Sequence, residues 1–317
     1  MQQLLARAVW DEDAVRDDVR ACVVEHLGED GAVLVVDETG DLKEGRHDGG
    51  VQRPYTGTAG RVENAQVAVY LVDATDAGHG LVDRELYLPR SWTSDPERLR
   101  AAGIPDRVGF ATKPELATVM ITRALDAGVP AGWVAGDEVY GANPGLRTEL
   151  EARGVGYVLA VACDHRVEVG GAVQRADALL RQVPARAWQQ VSCGKGAKGH
   201  RHYDWAFVGL DHREAAPGAQ VAQRWLLVRR NHKTGELAFY RCFMPRPVPL
   251  AVLVRVAGRR WTVEERFQTA KGRCGLDQHQ VRRWRSWYRW PRWRCWPTPS
   301  WSWPRSPTRP GSLRRPG

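Results

Sequence analysis

Residues 31–40 read GAVLVVDETG, five apolar side chains in a row that stop at an acid, Asp37. A short β-branched run bounded by glycine is the signature of a strand buried on both faces, so the segment is expected to be a core strand ending at Asp37. A second stretch, WVAGDEVYG at 133–141, repeats the pattern and ends its apolar run at Asp137. Two acids at the mouths of two buried strands can converge if those strands are neighbours in one sheet.

Outward from these strands, residues 1–30 carry Leu4, Leu5, Ala8, Val15, Val19, Val23 and Leu27 near helical spacing and predict one amphipathic helix or two short ones. Residues 40–61 are polar and glycine-rich and read as a loop. Residues 65–75 and 79–89 read as a hairpin around Asp76-Ala77-Gly78. Helical periodicity returns at 113–127, ends at Gly128, and returns again from Pro144, where proline suits the first helical turn. GVGYVLAVACD at 154–164 is a further strand. The order strand, hairpin, helix, strand, helix, strand predicts an α/β fold with a mixed sheet flanked by helices.

From 164 to 248 short strand-like pieces alternate with glycine-rich turns, which predicts a β-rich insertion; helices follow at 249–256 and 259–272. The expected division is 1–30 helical, 31–163 the first part of the core, 164–248 the insertion, 249–290 the last part of the core, and 291–317 a tail. That tail concentrates Trp, Pro, Arg and Ser with almost no aliphatic residue, so it reads either as a disordered basic segment or as coding sequence read out of frame. We favour the second.

The formal charge is +9, but ten arginines and no Lys, Asp or Glu lie from Arg282 onward; without those ten positive charges residues 1–281 stand at −1. Net basicity is therefore no argument for a nucleic-acid partner. The six cysteines form no Cys-x-x-Cys pair, against a zinc site or a disulfide framework and in keeping with a reducing cytosol. No run of about 18 apolar residues exists to span a membrane.

Glu264 lies in RRWTVEERFQTAK (259–271), with Trp261, Val263 and Phe267 forming an apolar face. Three carboxylates brought together repel one another unless a cation compensates. Oxygen-only ligands suit Mg2+ or Mn2+. Two such ions about 4 Å apart can activate a water and stabilise the leaving oxygen of a phosphodiester. Taken singly, each acid is equally a turn residue, a cap or half of a solvated pair. Basic turns at Lys195, Lys198, His200, Arg201 and His202, and at Arg229, Arg230, His232 and Lys233, can grip phosphates or simply be solvated.

VVDETG, VQRPYTGTAGRVENAQVAVYL, DRELYLPRSWTSD, FATKPELA and WVAGDEVYG together resemble the transposases of bacterial insertion sequences, the DDE enzymes. The resemblance covers roughly residues 3–290. It implies an RNase H-like core with a β-rich insertion before the last catalytic helix, and an Arg-x3-Glu-x6-Lys signature that Arg260, Glu264 and Lys271 reproduce. It further implies that Asp37, Asp137 and Glu264 are the catalytic, metal-holding acids for Mg2+ or Mn2+, two ions in all. Arg260 and Lys271 would contact DNA phosphates, joined by Lys195, Lys198 and Arg201 of the insertion. The implied activity is hydrolysis at the element's ends and strand transfer into double-stranded target DNA. A homodimer in the DNA complex and a cytoplasmic, nucleoid-associated location belong to the same expectation.

Two departures stand out. The signature's leading tyrosine is Ala257 here, and Glu265 competes with Glu264 for the glutamate's role. Gln52, Tyr55, Thr56, Arg84 and Glu85 are weaker candidates for the border of the site. Only 36 residues precede Asp37, and PRWRCWPTPSW follows where an apolar helix is expected, so a shortened start and a frameshifted end are expected. The alternatives to a working transposase are a nuclease without strand transfer, and an inactive or DNA-binding-only remnant.

Overall fold

The computed structural model describes residues 7–45, 47–53, 55–56, 61–196, 199–210, 223–280 and 282–295. The first helix, α1 (Glu12–Leu27), begins where the Asp11 carboxylate accepts from the amides of Asp13 and Ala14 at 2.6 and 3.1 Å. Residues 1–6 of the expected N-terminal helical region lie outside the described residues. Strand β1 (Ala32–Leu42) does not stop at Asp37 but runs five residues further. It continues because β4 (Ala65–Ala74) pairs with it along its length, Asp37 opposite Tyr70 and Leu42 opposite Ala65. Two short pieces, β2 (Tyr55–Thr56) and β3 (Arg61–Val62), occupy part of the stretch read as loop.

The predicted hairpin forms as β4 and β5 (His79–Leu86), paired antiparallel. After two short helices, α2 (Arg90–Thr93) and α3 (Pro96–Ala102), comes α4 (Lys113–Asp126). A capping box fixes its start, Thr112 and Glu115 satisfying each other's backbone amides. Next come β6 (Ala131–Gly136), the one-turn α5 (Glu138–Gly141), α6 (Pro144–Ala152) and β7 (Gly156–Val161).

Strands β5, β4, β1, β6 and β7 lie side by side in that order. The β5–β4 and β4–β1 pairs are antiparallel, while β1–β6 and β6–β7 are parallel. This is the mixed sheet of an RNase H-like core. The region read as an insertion contributes a small hairpin, β8 (Arg166–Val169) and β9 (Ala172–Arg175), then α7 (Ala176–Leu179). Its remaining strands are β10 (Gln189–Gly196), β11 (Gly199–Gly209), β12 (Gln223–Arg230) and β13 (Leu237–Met244). These four extend the core sheet, β13 pairing antiparallel with β7, to give nine strands. The two late helical stretches are one helix, α8 (Leu250–Cys274), because Gly258 breaks nothing in a helix backbone that is held on both sides. Its cost relative to alanine is only about 1 kcal/mol. Gly258 also has a positive use: a Cβ there would come within 2.1 Å of the Cys193 carbonyl oxygen, so only glycine lets β10 lie this close to α8.

Strand alternation sorts the core into two faces. Leu34 and Val36 point at α1, α4 and α6, packing with Val23, Met120, Ile121, Leu146 and Leu150. Val33 and Val35 point at α8, packing with Leu253, Val254, Ala257 and Val263. The last helix, α9 (Trp284–Cys295), closes a third cluster over β4 and β5 with Trp287, Tyr288 and Trp290 buried. The chain thus remains helical past Pro291, which the tail reading did not foresee; residues 296–317 of that tail lie outside the described residues.

One buried charge works against this core. Asp73 of β4 is fully buried, and burial, with Glu29 adding to it, pushes its carboxyl up to about 6 against the partial offset of the Ala74 amide. A carboxyl raised in the folded state costs nothing below its unfolded value near 4, and the cost grows until pH passes 6. Asp73→Asn should therefore raise the melting temperature at pH 8, by the equivalent of about 1–3 kcal/mol, with the gain vanishing by pH 4. Paired thermal melts at the two pH values check this; equal gains at both would refute it.

Candidate active site

Pairing of β1 with β6 is parallel and ends with Val36 level with Gly136, so the next residues, Asp37 within β1 and Asp137 just past β6, come side by side. Both follow the alternation that carries Val35 and Ala135 toward α8. Asp137 also caps α5, accepting from the Val139 amide at 2.9 Å. Asp37 accepts from the Glu38 amide at 2.8 Å. Carboxylate oxygens of Asp37, Glu38 and Asp137 all lie within 4.8 Å of one another.

Glu38 is the member that sequence reasoning missed. As the residue after Asp37 it starts toward the opposite face, and alternation alone separates the two. Beside the end of β6, where β1 loses that neighbour, its longer side chain still reaches the same space. It is held there by Lys113 at 2.5 Å and by the Tyr140 hydroxyl, which donates at 2.6 Å. The DE pair at a strand mouth was the available signal.

The acids perturb one another. Burial first, then the neighbouring Asp137 charge, raises Asp37 to about 7. Burial and Glu38 raise Asp137. Arg260 opposes both shifts, which puts its charge beside the pair. An all-oxygen group in which two neighbouring aspartates both resist ionisation fits a hard divalent ion. Among the described residues it is the one group of three or more potential ligand side chains.

Glu264 is not in this group. It is half-exposed and pairs with Arg260 at 3.3 Å, one helical turn back. Arg260, Glu264, Phe267 and Lys271 form one stripe of α8 at i, i+4, i+7 and i+11. The stripe follows β1. Arg260 faces the two aspartates, Phe267 packs edge-on against Tyr70 at 5.4 Å, and Lys271 donates to the Gly40 carbonyl at 2.9 Å. Glu264 therefore stands over the sheet between the aspartates' counter-charge and Tyr70, the cross-strand partner of Asp37. Glu265 turns the other way and pairs with Arg201 of β11 at 3.2 Å.

The expected phosphate-contacting residues are mostly engaged within the protein. Lys271 also lies 3.3 Å from the buried Asp41 carboxylate. Arg201 covers Trp261 at 4.7 Å from the ring centre besides its bond to Glu265. With Arg255 and Arg259 it lines a cavity of about 530 Å3 between α8 and the β10–β11 hairpin, beside the acids' helix but not containing them. The Lys195 side chain and Lys198 lie outside the described residues. Ala257, where the signature has tyrosine, is buried against the sheet.

The weaker border candidates sit elsewhere. Arg84 and Glu85 belong to β5, on the far edge of the sheet from β6. There Arg84 donates to the Tyr288 carbonyl at 3.1 Å, and Glu85 binds Arg123 and the Tyr288 hydroxyl, each at 2.6 Å. They tie β5 to α4 and α9. The Gln52 amide donates to the Ala65 carbonyl; the Tyr55 and Thr56 side chains lie outside the described residues.

A family described as DDE superfamily endonuclease matches residues 1–205, a span that contains Asp37 and Asp137 and ends before α8. A probable transposase for insertion sequence element IS701 from Microchaete diplosiphon is 28% identical over 170 residues, 53% of this chain and 42% of that protein. The chain thus spans less than half of that relative's length.

Proposed function

The chain belongs to the DDE superfamily endonucleases, and from that premise we propose that it is a metal-dependent DNA transposase, cutting phosphodiesters at element ends and joining them to target DNA. The single observation that carries the reading is the convergence of Asp37 and Asp137 where the parallel pairing of β1 and β6 ends, under the helix that bears Glu264. Asp37 and Asp137 would hold Mg2+ or Mn2+, with Glu264 as the third acid. When bound, such ions lower the pKa of a coordinated water and stabilise the leaving oxygen in phosphodiester cleavage. Glu38, fixed by Lys113 and Tyr140, adds negative charge beside Asp37 and Asp137, and its backbone amide donates to Asp37. Arg260 balances that charge in the absence of a cation and is free to meet a DNA phosphate once a cation replaces it. Its release would also free Glu264 from their pair.

A supercoiled plasmid carrying the DNA that flanks this gene, incubated with the protein and Mg2+, tests the reading. Nicked product together with joined product is expected, and neither with EDTA. Nicks without joining would reduce the activity to that of a nuclease, and DNA binding without nicks would leave a binding-only remnant.

The raised Asp37 carboxyl adds a pH prediction. Below about pH 7 its proton competes with the cation, so apparent Mn2+ affinity should fall about tenfold per pH unit there and level off above. Calorimetry in buffers of different ionisation heat should count about one proton released at pH 6 and few at pH 8. Zero protons at pH 6 would remove Asp37 from the cation site.

A further inference from the structure

On the opposite face of the sheet from α8, between the β8–β9 hairpin and strands β12 and β13, lies a cavity of about 630 Å3. Its wall carries Arg166, Arg224 and Arg241 over an apolar lining that includes Val167 and Leu210. This volume is in the range of pockets that take a nucleotide-sized group. The three arginines are not equivalent. Arg224 is spent on Glu151, to which it donates at 3.1 and 3.2 Å, and Glu151 also accepts from the Tyr157 hydroxyl at 2.8 Å. Arg241 makes no such hydrogen bond: its Nε is buried and unbonded among the described residues, although the Glu151 carboxylate lies near enough for the two charges to act on each other. Arg166 is exposed at the rim.

Further positive charge lies behind the lining. Arg147 of α6 lies near enough to Arg241 for the two charges to oppose each other. Beside them His165, with its Nε2 buried and unbonded, is driven down to about 4, by burial first and then by Arg147 and Arg241. The acids within reach are Glu151, held by Arg224 and close to Arg147 and Arg241, and the exposed Glu168 and Asp164. On the lining itself three guanidinium groups stand against one carboxylate, Glu168, which leaves the cavity wall net positive even with Glu151 behind it. Guanidinium forks match phosphate oxygens in geometry as well as charge.

We propose that this arginine-lined cavity binds a backbone phosphate of DNA, forming a second contact on the sheet face opposite the acidic site. The identification of the anion as DNA rests on the proposed function; the cationic cavity does not. A DNA strand held here would be anchored close to the acids' framework, because Arg147 donates to the Gly141 carbonyl at the end of α5, the helix that Asp137 caps.

Two variants test it in the full chain. Arg166→Glu changes an exposed rim residue and should leave the fold intact; Arg241→Gln removes the unbonded buried charge. Binding of a fluorescent 40-base-pair duplex is followed by anisotropy across a salt series, with Ca2+ in place of Mg2+. Each variant should weaken binding roughly tenfold near 0.1 M salt and lower the slope of log K against log salt by about one. Cleavage rate at saturating DNA should be unchanged. If wild-type protein binds the duplex and both variants keep its affinity and slope, the cavity proposal falls while the function reading stands. If wild-type protein binds no DNA, both fall together.

Discussion

Asn in place of Asp37 is expected to cut plasmid cleavage by on the order of 10^3-fold or more at saturating Mg2+, with the fold unchanged. The group lost is half of the pair that β1 and β6 deliver to one place, and the carboxylate beside it, Glu38, is already held by Lys113 and Tyr140. The melting temperature should hold or rise, because the change removes a carboxyl whose ionisation burial and Asp137 oppose. The same experiment run on the helix decides a finer point. Glu264→Gln should be as inactive as Asp37→Asn, whereas Glu265→Gln should retain cleavage within a few-fold. The contrast follows from the stripe of α8: Glu264 shares Arg260 with the aspartates, and Glu265 is turned to Arg201 of the β10–β11 hairpin. An inactive Glu265→Gln beside an active Glu264→Gln would reverse the assignment. Glu38→Gln should fall between the extremes, since both its oxygens are already engaged by Lys113 and Tyr140.

Much of this arrangement was legible because buried strands announce themselves. An apolar run that ends in an acid leaves few choices for where the acid can sit, and Asp37 and Asp137 were readable on that ground. Their adjacency was not, since register and strand order are settled by pairing between segments about a hundred residues apart. The extent of β1 was misjudged for a related reason. DETGDL has poor intrinsic strand character, yet β4 supplies a partner for every residue of it. The stretch read as β-rich holds strands β8 to β13, but nothing local announces that β13 docks on β7 and makes one sheet of the whole. Lys271 shows the converse limit. Its spacing to Glu264 is plain in sequence, while its capture by Gly40 and Asp41 depends on the path β1 takes after the site.

Trp287→Ala is expected to be the most destabilising single substitution outside the site, by about 3–5 kcal/mol, seen as a large drop in melting temperature. In sequence the WRSWYRW segment (284–290) resembles the tail that follows it: tryptophan and arginine without aliphatics. Structurally it is core. Trp287 is 2% exposed and fills the third cluster with Tyr70, Leu86, Trp92, Ile104 and Ala270. Around it, the Trp290 indole donates to the Leu276 carbonyl at 2.8 Å, and Arg289 approaches Glu12 of α1 at 3.6 Å. Pro291 removes the N–H that would serve the Trp287 carbonyl, and the helix continues to Cys295 regardless. Burial of five consecutive residues, Ser286 to Trp290, is large enough to outweigh that loss. The consequence reaches the acids, because Ala270 and Phe267 of α8 touch the same cluster and Phe267 packs on Tyr70 across from Asp37. A cavity at Trp287 should therefore loosen the helix that carries Glu264, so cleavage should fall further than the unfolded fraction accounts for. Trp284→Ala, at a half-buried position on the same helix, should cost clearly less. Equal melting temperatures for the two variants would show that α9 is not part of the core.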